Sequence, residues 1–197
     1  MNQGPGPRTA GLAPDEAKAC PMAIPESEQT AVREAALDLI RSQRTLVLAT
    51  CRDNTPWSAP VYYLFHQGCF YFFSSPRSLH IRHSVGHGHS AGTVFADSDR
   101  WEQIRGLQMT GRVTRVQSMT RTAQLTALFI LRYPIAKSFL HGGDKDVPNL
   151  SDKVHLYCFT PLNAYLVSNH NAFGRRLALD PLTFDPLEPR HDPCTTP

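Results

Sequence analysis

The run SSPRSLHIRHS (74–84) gathers the side chains of this sequence best suited to holding an anion. Ser75 and Ser78 offer hydroxyl protons, and Arg77 offers a guanidinium fork that matches phosphate oxygens. A helix beginning there adds free backbone N–H groups. A phosphate-bearing ligand is one expected occupant; the plainer reading is a capped surface helix with a solvated arginine. Arg105, in the context IRG, is a second guanidinium that would complete such a clamp. A solvated strand residue would read the same way.

Other constellations carry less. His80 and His83 are three apart on the predicted helix, with His87 and His89 close behind, yet no nearby Cys or carboxylate completes a structural zinc pattern, so no metal is expected. The cysteines at 20, 51, 69, 158 and 194 form no CxxC pair and are odd in number, which predicts reduced thiols and a cytoplasmic setting. Cys51 and Cys69 fall in apolar strands and are expected to be buried and inert. GxSxG and HExxH are absent, as are GxGxxG and GxxxxGK[ST]. In SNHNAFGRRLALD (168–180), Arg175 and Arg176 follow a polar, glycine-containing turn. Side chains alternate along an extended segment, so only one of them can face a pocket.

These residues need a scaffold. ESEQTAVREAALDLIRSQ (26–43) repeats apolar residues at helical spacing and predicts a helix with one buried stripe. TLVLATC (45–51), PVYYLF (60–65) and CFYFFS (69–74) predict strands, the last two joined as a hairpin through His66-Gln67-Gly68. Their aromatics are expected to form barrel wall. Pro76 suits the first position of a helix over 76–84. Further strands are predicted at 91–96, 103–116, 155–159 and 164–168, the last two joined around Pro161. Between them Ser118 caps a helix that reaches Arg132 and is ended by Pro134. Seven strands and three helices that do not alternate argue against a Rossmann sheet. The expected class is mainly β (α+β), an antiparallel split β-barrel with peripheral helices.

Length and composition agree with one domain. The chain has 197 residues, a net charge of +3, and 16 prolines of which ten lie in the first 25 or last 17 residues. Tails are therefore expected at 1–25 and 183–197, around a domain at 26–182. Residues 26–180 hold 17 basic and 12 acidic side chains, a net +5. No apolar run reaches the length of a membrane span, and no signal peptide is visible at the start. Aromatics sit in dense apolar strands rather than among arginines, which gives no stacking platform for nucleic acid.

The order AGTV…IRGLQMTGRV…LRYPIAK…LYCFTPLNAYLVSNHNAFGRRLAL, spread over residues 28–180, resembles the pyridoxamine 5′-phosphate oxidase-like, FMN-binding split-barrel superfamily. Within it the chain is similar to a small bacterial group of uncharacterised proteins. The resemblance implies a homodimer with FMN in a cleft between subunits. It matches Arg77 to a phosphate-binding arginine, puts Ser78 where the oxidases carry a lysine, and aligns Arg105 with another basic position. Gln108 falls near a cofactor contact. Arg176 matches a substrate-binding arginine, but Ala178 replaces the histidine two residues on, and Val167 stands where a tryptophan flanks the flavin. Those two departures speak against oxidation of pyridoxamine phosphate itself.

The implied function is an FMN-binding, oxidoreductase-like protein acting on a small molecule or electron donor, without nucleic acid or membrane as partner. Two alternatives stand beside it. One is a haem or tetrapyrrole module with His80, His83 or His170 as ligand. The other is a dimeric, non-enzymatic protein whose cofactor site has decayed.

Overall fold

A computed structural model describes residues 26–86, 88–141, 153–169 and 176–184. The expected tail at 1–25, His87, His170 and Arg175 lie outside the described residues. The chain enters through α1 (Glu26–Ser42), whose Ala36, Leu39 and Ile40 are fully buried. That is the stripe read from its spacing.

β1 (Thr45–Arg52) and β2 (Thr55–Tyr62) form a hairpin. Its turn residues Asp53 and Asn54 have φ of 51° and 57°, the left-handed pair that a two-residue type I′ turn needs. Sequence places the second strand at 60–65. The chain instead begins β2 at Thr55 and makes a separate β3 (Leu64–His66) after Tyr63. Pro56 and Pro60 hid this strand. They are tolerated because β2 is a sheet edge, where a missing N–H leaves no neighbour unpaired. β3 turns through Gln67 and Gly68, at φ 48° and 70°, into β4 (Cys69–Ser74), as predicted.

Beyond β4 come α2 (Leu79–Ser84), β5 (Ser90–Ala96), β6 (Arg105–Arg115) and α3 (Met119–Arg132), then α4 (Ala136–His141), β7 (His155–Ser168) and β8 (Arg176–Leu179). A short 3-10 turn, Trp101–Gln103, precedes β6 and shortens the strand expected from 103. Ser118 caps α3, its hydroxyl accepting from the Arg121 N–H at 3.3 Å. The strands pair antiparallel in the order β2-β1-β5-β6-β7-β4-β3, with β8 on β7. Curled on itself, this sheet is the split β-barrel with peripheral helices.

One expected break does not occur. β7 runs through Pro161 without interruption. Its pairing with β6 shifts there: Thr110 opposes Asn163 and Gly111 opposes Pro161, so Leu162 is left outside the register. This bulge absorbs the proline. Gly111 permits it, because a Cβ at 111 would run into the Thr160 carbonyl oxygen and the Phe159 ring.

Two apolar clusters hold the barrel. Inside the curl, Leu46, Leu48, Phe70, Phe72, Val94, Leu107 and Phe159 meet α1. On the other face of β4 and β7, Tyr71, Cys69 and Cys158 meet Leu125 and Phe129 of α3. These two strands are thus covered on both sides, which explains their dense aromatic content. Phe184, two residues past the expected domain boundary, is buried in the inner cluster against Phe65. Cys51, expected to be buried, is exposed; it lies one residue before the end of β1, next to the turn.

Candidate functional site

β4 ends at Ser74, a buried residue paired with His155, and delivers the chain into the serine turn. The Ser78 N–H donates to the Ser75 carbonyl at 3.1 Å, closing a β-turn. Pro76 serves as the second residue of that turn, which its fixed φ favours. Hence α2 starts at Leu79 rather than at Pro76. Ser78 is its N-cap residue, but it makes no side-chain cap bond. Its hydroxyl donates instead to the Ser75 carbonyl at 2.7 Å. The Arg77 N–H donates to Ser75 Oγ at 3.2 Å, a second tie across the same turn.

His80 locks the turn from below. Its Nε2 lies 2.8 Å from Ser74 Oγ and 3.3 Å from Ser78 Oγ, and the two serine oxygens are 3.0 Å apart. Burial pulls the imidazole below its usual pKa, so it is neutral at pH 7. The neutral Nε2 and Ser74 Oγ share one hydrogen bond whose direction follows the imidazole tautomer, while the Ser78 proton is already committed to the Ser75 carbonyl. Below it, Ser84 Oγ donates to the His80 carbonyl at 2.6 Å and accepts from Ser90 Oγ at 3.1 Å. The polar chain is internally satisfied. Sequence reasoning named Ser75, Arg77 and Ser78 but missed Ser74 and the locking role of His80; only the spacing S-S-x-x-S within 74–78 hinted at a hydroxyl cluster.

Arg77 differs from its neighbours. It is exposed, and among the described residues its guanidinium makes no hydrogen bond or ion pair. A free guanidinium on a rigid turn, next to the half-buried hydroxyl of Ser75, fits an incoming phosphate: the charge is unspent and the backbone is already ordered.

The other predicted residues lie elsewhere. Arg105 opens β6, opposite Ala96 of β5 and Ser168 of β7. The far end of that β5–β6 ladder is Ser90, which touches α2 through Ser84. Six residue steps at ~3.3 Å put about 20 Å of strand between the two ends. Within one chain, therefore, Arg105 does not join Arg77, contrary to the clamp expected from sequence. Gln108 is exposed on the outward face of β6, opposite Thr93 and Tyr165. Arg176 is exposed on β8, opposite Val167, which in turn opposes Gly106. Gln108 stands two residues along from Gly106, so Gln108 and Arg176 share one outward sheet face. Val167 and Ala178 lie on it too, half-buried. The candidate residues thus fall apart: Ser75, Arg77 and Ser78 on the serine turn, Gln108 and Arg176 on the outer sheet face, and Arg105 at the start of β6 on the side of Leu107 and Met109.

Among the described residues, no three His, Cys, Asp or Glu side chains come together as a metal site would need. No helix is long and apolar enough to cross a membrane. Cys69 and Cys158 are buried side by side, and their mutual contact and burial push the Cys158 thiol well above its ordinary range. Such thiols are poor nucleophiles at neutral pH.

A curled antiparallel sheet of eight strands, with α1 inside its opening and α3 on its back, defines a split-barrel protein. The sequence profile of the pyridoxamine 5′-phosphate oxidase family matches residues 32–167, and the chain belongs to that family. It is 26% identical over 104 residues to a UPF0306 protein of Pasteurella multocida, covering 52% of this chain and 69% of that one. Among solved structures, it superposes on a haem-binding protein from Mycobacterium smegmatis with a TM-score of 0.61 at 16% identity. That match covers 83% of this chain and 61% of the other, so this chain spans less than two thirds of that protein. A FAD-binding protein from Mesorhizobium loti gives a TM-score of 0.52 at 15% identity, covering 73% of this chain and 94% of that one. At such identities the superpositions establish the fold.

Proposed function

We propose that this protein binds FMN, holding the phosphate at the serine turn and the flavin between two copies of the chain. The observation that carries the reading is Arg77: a guanidinium without a partner among the described residues, on a turn tied twice through Ser75. Ser75 supplies the adjacent hydroxyl. Ser78, with its proton donated inward, keeps the turn in shape. Membership of the family supports the phosphate-bearing flavin as occupant.

Separation of the candidate residues supports the dimer. Arg105 and Arg176 stand at the end of the sheet away from Arg77 in one chain, so a site that uses them together with the turn draws the turn from one copy and these arginines from another. The outward face has apolar material for such a contact, including Phe95 at 51% exposure and Tyr62 at 61%. In this reading Gln108 lies along the cofactor, Arg105 stands at its edge, and Arg176 binds an anionic part of the substrate.

When bound, FMN supplies the two-electron chemistry, and the protein's part is binding and orientation. Ala178 has no polar atom to present beside Arg176, which supports a substrate other than pyridoxamine phosphate. The absorbance spectrum of the purified protein, alone and after incubation with FMN, tests the reading. Flavin bands that Arg77→Ala weakens are expected; no flavin uptake by the intact protein overturns it.

A haem-binding reading has one specific observation in its favour: His83 Nδ1 is buried and has no hydrogen-bond partner. His80 suits it less, because its Nε2 is engaged by serine hydroxyls. A Soret band on addition of haem, lost in His83→Ala, would decide for it.

A further inference from the structure

α3 carries two apolar stripes, and the barrel uses one. Leu125 and Phe129 are buried against β4 and β7. On the adjoining side, Met119, Ala123, Ala127 and Leu131 recur every fourth residue and stay exposed, Met119 at 87% and Leu131 at 78%. Twelve residue steps at ~1.5 Å make this stripe about 18 Å long. It forms one wall of a groove of about 860 Å³ whose other wall is Phe73, Val116 and Leu156. Large side chains close both ends of the stripe, and two alanines leave its middle low.

Among the described residues the groove's charges have one sign: Arg115 and Lys137 line it, and no Asp or Glu does so. Neither cation forms an ion pair or a side-chain hydrogen bond among those residues. A long trough with apolar walls and unspent cations is complementary to an unbranched alkyl chain bearing one anionic group. We propose that this groove is a binding site for such an anionic amphiphile, a fatty-acid-like ligand. It lies on the back of the barrel beneath α3 and borders the serine turn, since Phe73 precedes Ser74 and His155 pairs with it, but it is lined by other residues than Ser75 and Arg77 and owes nothing to the flavin reading.

Titrating the full chain with cis-parinaric acid, followed by probe fluorescence, tests the proposal. Saturable binding of one equivalent is expected, and the methyl ester of the same probe should bind about tenfold more weakly because its charge is gone. Ala127→Trp fills the trough from an exposed position, leaving Leu125 and Phe129 in place, and should weaken the acid by about tenfold or more. Arg115→Gln with Lys137→Gln should remove the preference for acid over ester while leaving ester binding unchanged. Thermal melting identifies any variant that has lost its fold, and Ala123→Trp then serves as the second filling variant. Equal binding of acid and ester to the native chain would overturn the proposal, as would undiminished binding to both filled variants. Absence of probe binding, with Ala127→Trp lowering the mass seen by sedimentation, would assign the groove to a second copy of the chain and overturn it equally.

Discussion

Arg132 and Arg77 carry the same guanidinium into opposite circumstances. Arg132, at the end of α3, donates to the carbonyls of Gln43 at 2.6 Å and Arg41 at 3.2 Å, and to the Tyr133 hydroxyl at 3.0 Å. Its plane also lies over the rings of Tyr63 and Tyr133. Tyr133 in turn donates to the Tyr63 carbonyl at 2.7 Å, and the Tyr63 hydroxyl donates to the Ile40 carbonyl at 2.6 Å. This latch fastens α3 to the carboxyl end of α1 and to the chain before β3. Both tyrosine hydroxyls and the Nε and Nη2 groups of Arg132 are spent on the fold. Arg77 has none of these contacts, although the turn beneath it is just as thoroughly bonded. Rigid support under an unspent charge is what distinguishes a binding group from a structural one.

Four substitutions bear on that contrast. The largest effect is expected at the latch: Arg132→Ala leaves the carbonyls of Gln43 and Arg41 without this donor and should cost about 2 kcal/mol of stability, read from urea unfolding. Arg77→Ala should change stability by less than about 0.5 kcal/mol while weakening FMN about tenfold or more, measured by flavin fluorescence. A stability loss at Arg77 equal to that at Arg132 would erase the distinction between them. Ser78→Ala removes the bond to the Ser75 carbonyl and should cost about 1 kcal/mol, with a smaller loss in FMN affinity because the hydroxyl faces inward.

The smallest effect concerns pH. His80 is held below its usual pKa by burial, so the unfolded chain takes up a proton first as pH falls through about 6.5. Native stability should therefore decline from that point downward, until the folded imidazole protonates as well. His80→Gln, which keeps a hydrogen-bond partner for Ser74 but does not titrate, should flatten that part of the profile. Melting temperatures of both proteins between pH 5 and pH 8 give the comparison, in a range where His is the ordinary titrating side chain.

Much of the scaffold was legible from local signals, and the failures have local causes. α1, β1, β4 and the Gln67–Gly68 turn follow from periodicity and turn chemistry. β2 was obscured by Pro56 and Pro60, since edge position is a property of the whole sheet. β7 was split in expectation at Pro161 because the compensating glycine, Gly111, sits 50 residues away on another strand. At the site, spacing revealed the serines and Arg77, but not that the Ser78 proton would be used on a carbonyl. Arg105 is grouped with Arg77 by its charge, its strand context and the resemblance, and the β5–β6 register separates them.

By itself, then, the sequence determined a basic chain of short antiparallel strands and a Ser–Arg turn of a kind suited to phosphate, because helix and strand periods, turn residues and charge are all local quantities. Only the tertiary structure decided which arginine is spent and which is free, on which face Gln108 and Arg176 stand, and that α3 keeps a second apolar stripe uncovered. Those outcomes depend on strand register and on what packs against each face, and residues distant along the chain set both.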